Sequence, residues 1–413
     1  MTADSIDFAT EWPRVVGATL RAFGDVHLAE ESAQEAFARA AERLAAGEKI
    51  DNIGAWATTV ARRVAIDSLR HDAVLRAKLP LLVADVEVHD AEANDDQAND
   101  DKTTQPVDDR LDLILVACDP VLSPEQQIVL ALRIACGVPT ADIARFFGSS
   151  EPTIAARLTR AKKAIARSGV HFAWPSPDER RARLGNALTT LYGVYTLGHS
   201  AATGDELVDA ALASLALDLA RDVVAECPDD TEALGLLAII ELGEARRPAR
   251  IRADGMPLAL AEVDRSVWGR RRIRHGLDLA ARALPGGGRF ALQAGIAGLH
   301  SSAESWDETD WGAIATLYHG LVRVWPAPMA KLGRAIAQIH GSQPTQAIAE
   351  IESMRALGDP LLRRRAAAAL ADYYEREGKL DLARAALDEA EAGEPNAALL
   401  RYHERVRARL AGQ

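Results

Sequence analysis

The chain has 413 residues, carries 48 Lys and Arg against 60 Asp and Glu, and so has a formal net charge of -12. At about 100–200 residues per domain this length allows two to four domains, and a composition of 48% hydrophobic and 26% charged residues is that of a globular protein rather than a disordered one. Charges interrupt every apolar stretch before about 18 residues, the N-terminus is acidic without an apolar core, and Cys118, Cys136 and Cys227 form no CxxC pair; these features argue against a membrane span, a secretory leader, a disulfide framework and a zinc ribbon, and favour a cytoplasmic home.

Apolar residues recur at three- and four-residue spacings almost throughout, and β-branched alternation is scarce, so the expected fold class is all-α. Residues 27–44 predict a helix with Leu28, Ala33, Ala36, Phe37, Ala40 and Leu44 on one face and Glu30, Glu31, Gln34, Glu35 and Arg39 outside it. Residues 52–71 predict a second helix with Ile53, Trp56, Val60, Val64 and Leu69 as its buried stripe and Arg62, Arg63, Asp67 and Arg70 on other faces. Arg63 and Arg70 each stand at pairing distance along the helix from Asp67. Trp56 lies on the apolar stripe, which favours a core position over a stacking platform for an unpaired base.

From Asp85 to Asp112 eleven acidic residues face only Lys102 and Arg110. Such a run repels itself and buries no core, so an extended linker is expected. Residues 123–168 then read as a helix-turn-helix. Ser123 and Pro124 open one helix, Thr140 a short one, and Gly148 a tight turn. Ser150 caps a longer helix in which Ile154, Leu158, Ala161 and Ile165 share a face. Between Arg133 and Arg167 seven basic residues meet two acids. The second helix of such a unit lies in the major groove, and here Arg157, Arg160 and Lys163 fall off the apolar stripe. Glu151 has two readings, as an acceptor from a cytosine amino group or as a complement to the helix dipole.

Pro175 and Pro177 break the chain again. Beyond them helix follows helix, separated by ECPDD, LPGGG, GSQP and GEPN. Leu370, Ala371, Tyr374 and Gly378, followed by Ala383, Leu387, Ala390 and Pro395, match the tetratricopeptide pattern. A solenoid of divergent hairpins is the preferred reading, and an irregular helical bundle is the alternative. Arg246, Arg247 and Arg250 flank Pro248 in a basic loop that is either a contact point or, the plainer reading, salt-bridged to nearby acids. No phosphate loop, HExxH, GxSxG or clustered metal ligands occur, so neither catalysis nor a cofactor nor a metal is expected.

In this order the motifs resemble a sigma factor of the extracytoplasmic-function type. EESAQEAF is similar to the core-polymerase-binding helix of region two, and the likeness assigns that role to Glu31, Gln34, Glu35 and Phe37. AWATTVARRVAIDSLR is similar to the helix that reads the minus-ten element, which implies DNA-binding roles for Arg62, Arg63, Asp67 and Arg70. SSEPTIAARLTRAKKAI resembles the region-four recognition helix for the minus-thirty-five element, which implies Ser150, Glu151, Thr153, Arg157, Arg160 and Lys163, with Pro152 where the family commonly has glycine. The phrases EARRPARIRADG and DWGAIATLYHGLVRVWPAP look like a subgroup with a tetratricopeptide-like C-terminal extension. Cys118-Asp119 stands where that subgroup usually has Cys-His.

The resemblance implies four parts: residues 1–84 as region two, 85–112 as linker, 113–174 as region four and 178–413 as the extension. Its partners are core RNA polymerase, through the beta-prime clamp and beta flap surfaces, and promoter DNA, with no membrane and no evident anti-sigma factor. The alternatives are a free-standing helix-turn-helix regulator with a sensory repeat domain, or a repeat scaffold.

Overall fold

Alanine spacing decides how closely the first helices pack. In a computed structural model, which describes residues 8–78, 110–147, 149–168, 175–199, 210–252, 256–341, 344–394 and 396–412, helices α1 (Phe8–Phe23), α2 (Val26–Ala45) and α3 (Ile53–Lys78) pack on one another. Ala29, Ala33, Ala36 and Ala40 of α2 and Ala57, Ala61 and Ala65 of α3 are fully buried, and Trp12, Val15, Val16 and Leu20 of α1 fill the space they leave. Trp12 and Phe37 hold their ring centroids 5.9 Å apart at the centre.

The small residues of α3, not the large ones, form its inner stripe. Trp56, Val60 and Val64 are half-buried and Leu69 is exposed, because alanine lets helix axes approach more closely than a branched side chain allows. The acidic segment 85–109 and the turn glycine Gly148 lie outside the described residues.

Next come α4 (Arg110–Ala117), α5 (Pro124–Ile134), α6 (Thr140–Phe146) and α7 (Glu151–Ser168). Ser123 makes the capping box that its spacing implies: its side chain accepts from Gln126 N–H, and Gln126 reaches back to the Ser123 N–H. Val129, Leu130, Leu132 and Ile134 of α5 and Ile154, Leu158, Ala161 and Ile165 of α7 are buried.

The long helix α8 (Pro177–His199) follows. Its first half clasps α4 and α5. Arg183 donates to Asp119 at 2.9 Å and to the Leu115 carbonyl at 3.1 Å, Arg180 pairs with Asp112, and Asn186 donates to Gln127. Two compact units result: one from the residues up to Ile143 and from Glu151 to Ala187, the other from Ala144–Ser150 and from Leu188 onward.

The second unit continues with α9 (Ala210–Glu226), α10 (Thr231–Arg246), α11 (Arg270–Ala283), α12 (Arg289–Ser302), α13 (Trp311–Val324), α14 (Pro328–His340), α15 (Pro344–Arg355), α16 (Pro360–Arg376), α17 (Leu380–Glu391) and α18 (Ala397–Ala411). From α9 onward each helix packs on the next, and α10 also meets α12 as α14 meets α16. Gly235 permits one such meeting, since a Cβ there would lie 2.6 Å from the Ala291 nitrogen. Glu232 then accepts from the Phe290 and Ala291 N–H groups at 3.0 Å and satisfies the start of α12. No strand forms among the described residues; Ile251 and Pro257 make a single bridge.

Candidate polymerase and nucleic-acid interface

The outward face of α2 borders a groove of about 520 Å³ shared with α3, lined by Glu31, Gln34, Glu35, Arg39, Val64 and Ser68 among others. Arg39 donates to Glu35 at 2.8 Å. Glu31, Gln34 and Glu35 are exposed, so three of the four residues assigned to polymerase binding share one surface. Phe37 does not join them: it is 5% exposed and packs inward on Trp12. The helical period explains this, because Phe37 follows Ala33 by four and Ala36 by one, on the side that meets α1.

Arg62, Arg63, Asp67 and Arg70 are all exposed on α3, and among the described residues no ion pair joins Asp67 to either arginine. The cations keep their charge available to a polyanion. Trp56 is half-buried, with the Arg43 guanidinium 5.3 Å from its ring centroid. The stretch between Arg70 and Pro80 runs on in α3 as far as Lys78, and Leu79 and Pro80 lie outside the described residues.

On α7 the N-terminal Glu151 is exposed, Thr153 is half-buried, and Ser150 directly precedes the helix. Arg160 and Lys163 are exposed, with Arg160 Nε donating to the Ala156 carbonyl at 3.2 Å. Arg157 is drawn toward α5, where Glu125 lies 3.4 Å away. The turn before α7 is closed by Ser149 N–H donating to the Ala144 carbonyl at 2.8 Å.

One residue that sequence reasoning placed outside the apolar face belongs inside. The Glu30 side chain is 4% exposed, and it receives Arg133 of α5 at 3.0 Å and Lys162 of α7 at 2.5 Å. Gln34 donates to the same carboxylate at 3.1 Å. Arg133 also lies 5.6 Å from the Trp12 ring centroid. No local pattern signals this cluster, because Glu30 lies more than one hundred residues from both Arg133 and Lys162.

Residues 8–73 match the family described as sigma-70 region 2, and residues 114–165 match sigma-70 region 4. The chain belongs to the sigma-70 family, as an extracytoplasmic-function-like factor with a C-terminal extension. Within this sigma factor residues 183–284 match a family of unknown function, DUF6596. An uncharacterized protein of Rhizobium meliloti (strain 1021) is 35% identical over 347 residues, which cover 83% of this chain and 81% of that protein. No solved structure matches.

A sigma factor binds core RNA polymerase and directs promoter recognition and transcription initiation, and the α5–α7 segment supplies this one with its helix-turn-helix. Sigma-70 regions describe a non-catalytic transcription factor. No described helix is long and apolar enough to cross a membrane. Asp119 is the ion-pair partner of Arg183. Burial pushes the adjacent Cys118 thiol up to about 12, with Arg183 pulling the other way.

Proposed function

We propose that this sigma factor docks on the beta-prime clamp through the α2 groove, with Glu31, Gln34 and Glu35 as the contacting side chains and Phe37 supporting them from within. The observation that carries this reading is the shared surface of those three residues beside the exposed cations of α3. Arg62, Arg63 and Arg70 neutralise phosphates beside the opened minus-ten segment, and Asp67 faces the same DNA from α3. The start of α7, from Ser150 through Glu151 and Thr153, enters the major groove of the minus-thirty-five element. Arg157, Arg160 and Lys163 flank it, and each bidentate base contact contributes about 1–3 kcal/mol of discrimination. Region four meanwhile rests on the beta flap.

The four parts 1–84, 85–112, 113–174 and 178–413 act in order, and the protein works in the cytoplasm without catalysing a reaction. Affinity for DNA comes chiefly from polymerase, which reconciles promoter binding with a net charge of -12. The extension stacks tetratricopeptide-like hairpins. Supporting this, Leu370, Ala371, Ala383, Leu387 and Ala390 are buried and Gly378 takes φ 69° where α16 ends. It regulates in cis or reaches polymerase.

The test combines purified chain, core polymerase and a genomic promoter library, with the run-off transcripts sequenced. Selective transcripts that vanish without the chain, and that weaken with Gln34→Ala and Glu35→Ala, are expected. Tight promoter binding by the free chain at physiological salt would count against it. Truncation after Ala187, which retains the clasp of α8 on α4 and α5, reads whether the extension activates or restrains.

A further inference from the structure

The basic loop at the end of α10 divides its three arginines. Arg247 pairs with Glu244 at 3.2 Å, as an ordinary salt bridge. Arg246 and Arg250 do not follow it. Arg250 Nη1 donates to the His199 carbonyl at 2.9 Å and lies 2.6 Å from His199 Nε2. His199 Nδ1 in turn lies 3.0 Å from the Tyr195 hydroxyl. Arg246 Nε donates to the Leu242 carbonyl at 3.3 Å. Tyr195 is 4% exposed and its hydroxyl presses against Gly243, one helical turn before Arg246 on the same face of α10, where any Cβ would strike it.

Hydrogen-bond direction settles the protons. A guanidinium only donates, so His199 Nε2 accepts and Nδ1 keeps the ring proton, which it gives to the Tyr195 oxygen. The phenol O–H is then left to donate elsewhere. The imidazole stays neutral, because burial first and Arg250, Arg246 and Arg247 next push it down to about 3.

Among the described residues neither Arg246 nor Arg250 has a carboxylate at ion-pair distance, and Glu244, the acid of this turn, is engaged by Arg247. The group therefore holds three guanidinium charges against one carboxylate. The carbonyl ends of α8 and α10 offset part of this, about half a charge each. Roughly one positive charge is left over in a half-buried position, where it is costly without a counter-ion.

We propose that this cluster binds a phosphate group, free or carried on a small metabolite, held by the guanidiniums of Arg246 and Arg250 and the hydroxyl of Tyr195. Two guanidinium forks and one hydroxyl suit the three terminal oxygens of a phosphate better than the two of a carboxylate. Arg246 and Arg250 are half-buried rather than sealed. The site lies within the segment matched to DUF6596.

The test is thermal unfolding and calorimetric titration of the full chain with inorganic phosphate and, separately, β-glycerophosphate, against sodium chloride at equal ionic strength. A saturable rise in Tm beyond chloride is expected, and it should be lost in Arg246→Gln with Arg250→Gln. It should be weakened about tenfold in Tyr195→Phe, the value of one hydrogen bond to a charged group, and be unchanged in Arg271→Gln, an exposed arginine of α11. A stronger response to β-glycerophosphate than to phosphate identifies a carried group, and the reverse identifies the free ion. If the double variant does not fold, Arg246→Lys keeps the charge without the fork and should still lose most of the affinity. A response no greater than that of chloride, or one that survives both Tyr195→Phe and the arginine replacements, overturns the proposal.

Discussion

The ammonium of Lys162, on α7 of region four, lies 2.5 Å from the carboxylate of Glu30, on α2 of region two. Regions two and four are thereby in direct contact through one buried carboxylate that Arg133 also grips. Promoter elements centred about 25 base pairs apart stand roughly 85 Å apart at 3.4 Å per base pair. The Glu30 contact is incompatible with both regions reading their elements together. Spin labels at Ala38 and Ala156, both exposed, should report one short distance in the free chain and a long one in holoenzyme on promoter DNA. Glu30→Gln should broaden the free-chain distribution, because two cations lose their counter-charge; removing one member of a buried ion pair costs about 3–5 kcal/mol. An unchanged distribution in Glu30→Gln would show that the carboxylate does not hold the two regions together.

Phe37 and Glu35 stand two residues apart on α2 and should behave oppositely. Phe37→Ala removes a ring packed on Trp12 and should destabilise the chain by about 3–5 kcal/mol, lowering Tm before any change in polymerase affinity is measurable. Glu35→Ala, at an exposed position, should leave Tm within a degree or two and weaken binding to core polymerase. Equilibrium unfolding alongside a polymerase-binding titration separates the two.

Arg183 is 10% exposed and bridges Asp119 to the Leu115 carbonyl. Arg183→Ala leaves the Asp119 carboxylate without this charge and should destabilise the region around α4 and α5 by about 3 kcal/mol. Hydrogen exchange should quicken in α4 and α5 and stay unchanged in α16 and α17. Uniform exchange across both sets would show that α8 does not clasp region four.

Acid should unfold the extension first. Burial holds His199 down to about 3 and His300 down to about 4, below the unfolded value near 6.5. Above that unfolded value both states carry neutral rings and the stability is fully present. As pH falls from about 6.5 toward 4 and then 3, the unfolded chain takes protons that the folded one refuses, and stability is lost. Urea midpoints followed by tryptophan fluorescence between pH 7 and 4 should fall steadily, and His300→Gln should flatten the slope.

Much of this architecture was legible in the chain itself. The capping box at Ser123, the Ile154–Ile165 stripe of α7 and the exposed positions of Glu31, Gln34, Glu35, Arg62, Arg63, Arg70, Arg160 and Lys163 all follow from helical periodicity, a local property. The inner stripe of α3 was misread because periodicity says which residues share a face, not how near the neighbouring helix comes. There the small Ala57, Ala61 and Ala65 went inside and Leu69 stayed out.

Local order along the chain thus determined the helices, their caps and the residues that face outward, since each depends on neighbours a few positions away. Tertiary structure alone decided that Glu30 is buried between Arg133 and Lys162, that Arg183 reaches Asp119, and that Arg250 reaches His199 while Arg247 pairs with Glu244. A charge pairs with whatever the fold brings within about 4 Å, and that distance is set by packing between helices far apart in sequence.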